Sequence, residues 1–216
     1  MNPHKPTLLA IEVSPRSDHS ISRKLTAEFV RQWKAAHADG SVVFRDLIDT
    51  RLPFVDQSWI QGAFTPPDTH SAEAAEAIRV SDNLVAELKA ADHIVLGTPM
   101  YNFSIPARLK AWIDHIVRMD VTVSSTDYQG LLTGTSADII LASAGDFSPG
   151  SPVEKYNRAS GYLHQIFTFI GITDINIVFA NRERAGDNGE TALESYGDVV
   201  AAAATRERSG RATQAA

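Results

Sequence analysis

Thr7-Leu8-Leu9-Ala10-Ile11-Glu12-Val13, followed by Ser14-Pro15-Arg16-Ser17-Asp18-His19-Ser20-Ile21-Ser22, is the stretch that decides how this chain folds. The first seven residues are a mostly apolar run of strand length. Leu25, Phe29, Val30 and Trp33 then recur at helical spacing, which predicts a helix from about His19 to Ala36. Strand, serine-rich loop and helix follow one another without a break.

The alternation continues outward from there. Gly40 stops the chain before a second strand, Ser41 to Arg45, and Ser71 to Ala90 reads as a helix leading into a third strand, His93 to Thr98. A helix over Ile105 to Arg118, a strand over Asp138 to Ser143, a helix over Val153 to Ile170, a strand over Ile175 to Phe179 and a helix over Glu190 to Ala204 complete the pattern. Short β-branched strands alternating with helices predict an α/β fold, a doubly wound parallel sheet covered on both faces. With five strands the expected arrangement is flavodoxin-like, in the order 2-1-3-4-5. Residues 1–204 read as one domain and 205–216, with Arg206, Arg208 and Arg211, as a frayed tail. Two stretches read as loops: Arg51 to Asp68, with three prolines, and Asp120 to Thr135, rich in Ser and Thr.

Composition narrows the function. The chain has 216 residues, 44% hydrophobic and 21% charged, the balance of a globular domain. Twenty Lys and Arg against 26 Asp and Glu give −6, with no basic stripe beyond the tail, so no nucleic-acid partner is expected. The absence of cysteine excludes disulfides, thiolate catalysis and Cys-ligated metal. No two of the seven histidines have the i, i+4 spacing of a zinc helix, and no metal is expected. No apolar run approaches the ~18 residues of a membrane span, and Glu12 interrupts the one near the N-terminus. Neither a membrane nor an export signal is read, and the expected compartment is the cytoplasm.

Open α/β sheets bind ligands beyond the carboxyl ends of their strands, beside strand 1. The loop after that strand carries Ser14, Arg16, Ser17, Ser20 and Ser22 and enters a helix, whose free N–H groups and dipole favour an anion. A helix cap explains one of these serines, whereas a phosphate monoester explains the run of four with an arginine. G-x-G-x-x-G and P-loop patterns are absent. After strand 3 comes Thr98-Pro99-Met100-Tyr101-Asn102-Phe103-Ser104-Ile105-Pro106. Two aromatics and an amide on a short loop offer apolar faces to a planar ring and polar groups to its edge. The alternative is that Tyr101 and Phe103 only cover the sheet end.

Pro99-Met100-Tyr101-Asn102-Phe103, with Ile105-Pro106, Leu109-Lys110, Trp112-Ile113-Asp114 and Arg118, resembles the FMN-dependent NADH azoreductases, also called FMN-dependent NADH:quinone oxidoreductases. The likeness begins at Ser14 and Ser20-Ile21-Ser22 and resumes at Phe169-Ile170-Gly171-Ile172-Thr173-Asp174 and Val178-Phe179-Ala180. It implies a flavodoxin-like homodimer with active sites at the subunit interface. By position, Ser14 and Ser20 to Ser22 would hold the phosphate of FMN, Met100 to Phe103 would line its ring, and Ser143, Ala144, Gly145 and Asp146 would approach the ring's pyrimidine side. The family's Ser-Arg-Gly-Gly loop stands here as Ser143-Ala144-Gly145-Asp146, and an inward Asp146 carboxylate would lower the flavin potential.

The resemblance implies two-electron, ping-pong reduction of quinones, azo compounds or nitroaromatics by NADH or NADPH, through hydride transfer to flavin N5. No side chain is required as a nucleophile. A flavodoxin-type FMN electron carrier without NADH oxidation is the alternative, and a phosphate-ester hydrolase a more distant one. Trp59 and Phe64 read either as caps on the core or as side chains reaching a partner's flavin.

Overall fold

The structure, a computed structural model, describes residues 5–208. Strands β1 (Thr7–Glu12), β2 (Ser41–Asp46), β3 (His93–Pro99), β4 (Ser136–Ser143) and β5 (Asp174–Asn181) pair in parallel in the order β2-β1-β3-β4-β5, as the pattern predicts. Helices α1 (Ile21–Ala36), α2 (Gln57–Phe64), α3 (Ala72–Ala90), α4 (Ala107–Ile116), α5 (Ala159–Phe169), α6 (Arg182–Ala185) and α7 (Ala192–Thr205) complete the described chain.

Side chains alternate across β1, so Leu9 and Ile11 enter one core and Leu8 and Ala10 the other. On the first face Leu84, Leu88, Trp112, Ile116, Leu163 and Phe167 bring α3, α4 and α5 onto the sheet. On the second, Leu25, Phe29 and Trp33 of α1 pack with Tyr196 and Val200 of α7. Burial on both faces explains why the central strands are continuous apolar runs. Gly97 in β3 lets α1 approach closely: a Cβ there would lie 2.2 Å from Thr26 Oγ1.

Several boundaries differ from the sequence reading. Ser20 is extended and its Oγ accepts from Arg23 N (3.3 Å), so α1 begins at Ile21, and Ser17–His19 forms a separate 3-10 turn. The stretch read as loop from Arg51 to Asp68 contains α2, started by Asp56, whose Oδ1 accepts from Trp59 N (2.8 Å). Eight residues between prolines are too few to show a period, and α2 is held by burial of Trp59 and Gly62. The helix expected from Val153 starts at Ala159, because Glu154–Tyr156 form a 3-10 turn and Asn157 Oδ1 accepts from Ser160 N (3.0 Å). The helix expected over 105–118 covers 107–116, and Arg118 N turns to Thr122 Oγ1 (2.9 Å). In the tail read as frayed, Thr205 closes α7, Arg206 Nη1 lies 2.6 Å from Asp174, and Arg208 Nη2 donates to the carbonyl of Ala203 (2.8 Å). Residues 209–216, Arg211 among them, lie outside the described residues.

Trp59 belongs to the chain's own core. Its Nε1 donates to His115 Nδ1 (3.1 Å), which fixes the other ring nitrogen as the donor to the carbonyl of Pro53 (2.9 Å). Trp59→Phe leaves that buried Nδ1 without a donor and is expected to cost about 1–3 kcal/mol in urea unfolding. An unchanged midpoint would contradict it.

At the amino edge of the sheet, buried His93 Nε2 donates to Asp138 Oδ2 (2.8 Å), while Asn176 Nδ2 donates to Oδ1 (2.7 Å). Burial pushes the His93 imidazole down to about 4, and the bond to Asp138 only partly opposes this. Burial also pushes the Asp138 carboxyl up, but the bonds from His93 and Asn176 more than reverse it, leaving it below the ordinary carboxylate value. An unfolded histidine titrates near ~6.5, so between that pH and about 4 the unfolded chain binds the extra proton. Stability contributed by neutral His93 is therefore present above pH ~6.5 and is lost as pH falls toward 4. His93→Gln keeps an N–H donor without titrating. Its unfolding free energy is expected to fall less between pH 7 and 4.5 than that of the wild type, and equal losses would contradict the assignment.

Candidate functional site

The site is built where β1 and β3 end side by side. Val13 N donates to the carbonyl of Gly97 (3.2 Å), and the chain then turns through Ser14 toward α1. Ser14, Ser20 and Ser22 are buried although they carry hydroxyls. Ser20 Oγ and Ser22 Oγ lie 3.2 Å apart, and Ser14 Oγ accepts from Arg16 N (3.3 Å). The first N–H groups of α1, on Ile21 and Ser22, have no intrahelical acceptor. Ser20 therefore caps the helix, and its hydroxyl also lies beside that of Ser22.

Arg23 holds this loop from beneath. Its Nε donates to the carbonyl of Ser14 (2.7 Å), and its guanidinium pairs with Glu12 and with Asp46 Oδ2 (2.7 Å). Burial pushes the Glu12 carboxyl up, with the Arg23 charge opposing that and Asp46 adding to it. Arg23 is thus committed to the protein, whereas Arg16 lies on the exposed side of the loop.

The facing wall follows β3. Met100 N donates to the carbonyl of Ala142 (2.7 Å), and Tyr101 and Ser104 exchange two backbone hydrogen bonds of 2.9 and 3.0 Å. Between them Asn102 and Phe103 have φ of 49° and 68°. Asn tolerates this region, but for a bulky residue it is strain, on the order of 1–3 kcal/mol. The strain is held in place from the segment after β4. Arg158 N donates to the carbonyl of Phe103 (2.8 Å), and the Phe103 ring contacts Phe147 (5.9 Å, edge-on) and Tyr156 (5.5 Å). Tyr101 and Phe103 remain 43% and 49% exposed, so neither is sealed over the sheet.

Ser14, Arg16, Ser20, Ile21, Ser22, Pro99, Met100, Tyr101, Ser143 and Ala144 converge on one open cleft of about 240 Å³. Asn102, Phe103, Gly145 and Asp146 lie outside its lining. Ser143 Oγ donates to the carbonyl of Gly145 (2.7 Å), closing the turn after β4. Asp146 is exposed and its Oδ1 accepts from Ser148 N (3.0 Å) and Oγ (2.6 Å), bonds that hold its carboxyl below the ordinary value. The carboxylate is thus engaged with Ser148 and does not line the cleft. Ala142 and Arg182 line the cleft without having been read from the sequence. Attention to the carboxyl end of β5, as well as of β1, β3 and β4, would have found Arg182.

Charge separates this cleft from its neighbour. A second groove of about 480 Å³ shares Ser14 but is lined by Glu12, Asp18, Asp46 and Asp49 beside Arg23 and Lys24. Those carboxylates oppose an anion. The smaller cleft is lined by Arg16, Arg182 and four serines, with no carboxylate among the described residues. Its donors fit a phosphate monoester, and the Pro99–Tyr101 wall fits a flat, partly polar ring.

A family model described as flavodoxin-like fold matches residues 6–202. The chain is 49% identical over 191 residues to FMN-dependent NADH:quinone oxidoreductase 2 of Jannaschia sp. strain CCS1, covering 88% of this chain and 93% of that protein. It is 50% identical over 182 residues to the FMN-dependent NADH:quinone oxidoreductase of Nostoc punctiforme, covering 83% and 89%. A solved structure of an FMN-dependent NADH-azoreductase from Bacillus anthracis strain Ames Ancestor, in complex with FMN, superposes with a TM-score of 0.82 at 25% identity, covering 93% and 98%.

The dual use of Ser20 separates two substitutions. Ser20→Ala removes the α1 cap and is expected to cost about 1 kcal/mol in denaturant unfolding, whereas Ser22→Ala, which removes no cap, should cost less. Equal losses would show that Ser20 is not the cap.

Proposed function

The chain belongs to the flavodoxin-like family of FMN-dependent NADH:quinone oxidoreductases and azoreductases, and from that membership we propose that it reduces quinones and azo compounds with NADH, holding FMN in the cleft between α1 and the Met100 turn. One observation carries the placement of the cofactor. Three buried serines, the first N–H groups of α1 and Arg16 line one cleft with Pro99, Met100 and Tyr101. FMN has the same two parts, a phosphate monoester at one end and a flat ring at the other. Its dianionic phosphate fits a cleft lined by donors and two guanidinium groups, and its isoalloxazine fits the exposed Tyr101 and Met100 beside the strained turn.

FMN bound there would supply the two-electron chemistry, hydride from NADH entering at the flavin's N5 and leaving to the acceptor in a separate, ping-pong half-reaction. The residues of this chain bind and orient. Ser14, Ser20 and Ser22 would hold the phosphate with the Ile21 and Ser22 N–H groups, fixing one end of a long ligand. Pro99, Met100 and Tyr101 would hold the other end, and the contacts of Phe103 with Phe147 and Tyr156, outside the lining, keep that wall from relaxing. Ser143 and Ala144 would present small side chains and backbone to the ring's polar edge, with Gly145 closing the turn behind them. Asp146, engaged by Ser148, adds its charge from outside the lining.

The open cleft fits planar acceptors as a class, nitroaromatics included, and the chain is expected to work in the cytoplasm. We assign it a homodimer whose interface completes the site. Phe54 is 77% and Phe64 67% exposed around α2, an apolar surface of the kind subunit contacts cover. Sedimentation as a monomer at micromolar concentration with full turnover would overturn the dimer.

The decisive experiment is an absorbance scan of protein incubated with FMN and desalted, followed by NADH under anaerobic conditions and then 1,4-benzoquinone. Retained flavin bands should bleach with NADH and return with quinone. Colourless protein would overturn the assignment, and flavin that yields to dithionite but not to NADH would favour an electron carrier. Phe103→Ala is expected to lower turnover about tenfold, corresponding to ~1.4 kcal/mol of transition-state stabilisation, with little change in the thermal midpoint. A collapsed, insoluble variant would instead make Phe103 a structural cover.

A further inference from the structure

Arg182 follows β5 directly and lines the same cleft as Ser14, Ser20 and Ser22. Its Nε lies 3.4 Å from Asp187 Oδ1, with the two side chains 53% and 83% exposed, a pairing that leaves most of its charge available. Arg16 reaches the same segment, where Nη2 donates to the carbonyl of Asp187 (2.9 Å) and to Asn188 Oδ1 (3.2 Å). Lys24 Nζ fastens the segment to α1 by donating to the carbonyls of Asn188 (2.9 Å) and Gly189 (3.2 Å). A Cβ on Gly189 would lie 3.3 Å from the Ile21 side chain, so residues 187–189 lie along the N-terminus of α1 as a strap to which both arginines are bound.

This arrangement bears on which flavin the cleft accepts. Hydrogen bonds to the ring and contacts along the ribityl chain are common to FMN and riboflavin, and only the phosphate distinguishes them. We infer that Arg182 is a specificity-determining residue of the cofactor site, supplying charge that selects the phosphorylated flavin over the unphosphorylated one. The inference rests on the FMN reading above. It adds a residue from β5, outside the loops after β1, β3 and β4. A guanidinium presents several N–H donors to phosphate oxygens, and a charge-assisted contact of this kind is worth more than a neutral one.

The test is titration of the full-length apoprotein with FMN and, separately, with riboflavin, read by quenching of flavin fluorescence. Arg182→Gln is expected to raise the Kd for FMN roughly tenfold and to leave that for riboflavin within about twofold. It should also make FMN binding less sensitive to salt. Arg182→Lys should recover part of the loss. Asp187→Asn, which frees Arg182 from its carboxylate, should hold or tighten FMN binding. Equal weakening toward both flavins would overturn the inference in favour of a structural role, as would an unchanged Kd for FMN in Arg182→Gln or weakened FMN binding in Asp187→Asn. Wild-type protein that binds neither flavin would overturn the functional reading itself, and the inference with it.

Discussion

Parallel strands leave all their carboxyl ends on one edge, and a sheet that winds in both directions from its first strand must open a crevice there. With β1 between β2 and β3, the chain leaves β1 into α1 on one face and returns across the other, so the loops after β1 and β3 diverge around a gap. Everything chemical in this molecule follows from that geometry. The gap is deepened by the close approach of α1 to Gly97, which brings the helix's unpaired N–H groups to the edge of the sheet. Ser14, Ser20 and Ser22 are buried there because they stand at the meeting of strand, helix and crevice.

Charge is sorted around this gap by what each group already holds. The Arg23 guanidinium is taken up by Glu12, Asp46 and the Ser14 carbonyl. It shapes the loop without adding much net charge to it. Arg16 binds a carbonyl and the Asn188 amide and Arg182 only an exposed carboxylate, so neither charge is neutralised by a buried partner, and both residues line the cleft. Two adjacent depressions thus acquire opposite character, one lined by carboxylates and the other by hydroxyls and guanidinium groups. The larger of them is the less suited to phosphate.

The opposite wall depends on strain that distant residues maintain. Phe103 is held at positive φ by the paired hydrogen bonds of Tyr101 with Ser104, by Arg158 N and by two aromatic neighbours more than forty residues later. Strain of this kind persists only where surroundings over-determine the backbone. At the far edge of the sheet the His93–Asp138 pair secures the ends of β3 and β4, and Arg206 and Arg208 draw the end of α7 onto the same carboxylate. One edge is locked by buried polar contacts while the other stays open.

The sequence by itself determined the sheet, its strand order and the segments that face the crevice. Apolar runs and helical periods are local patterns, and the carboxyl-edge rule converts them into a site before any contact is known. The Ser14–Ser22 and Pro99–Tyr101 segments were legible for that reason, and the family resemblance followed from the same residues. Tertiary structure decided the rest. Helix α2 is too short to show a period and exists through Trp59 and His115, which stand 56 residues apart. Whether Asp146 faces a ligand depends on Ser148 and on the turn around Gly145, not on its place in a motif. Arg182 stands at the carboxyl end of β5, where the edge rule allows it to be sought, but that it lines this cleft beside Ser14 and Ser20 is decided by how β5 and α1 come together. Direction of a side chain and meeting of distant segments are properties of packing, and no window of sequence contains them.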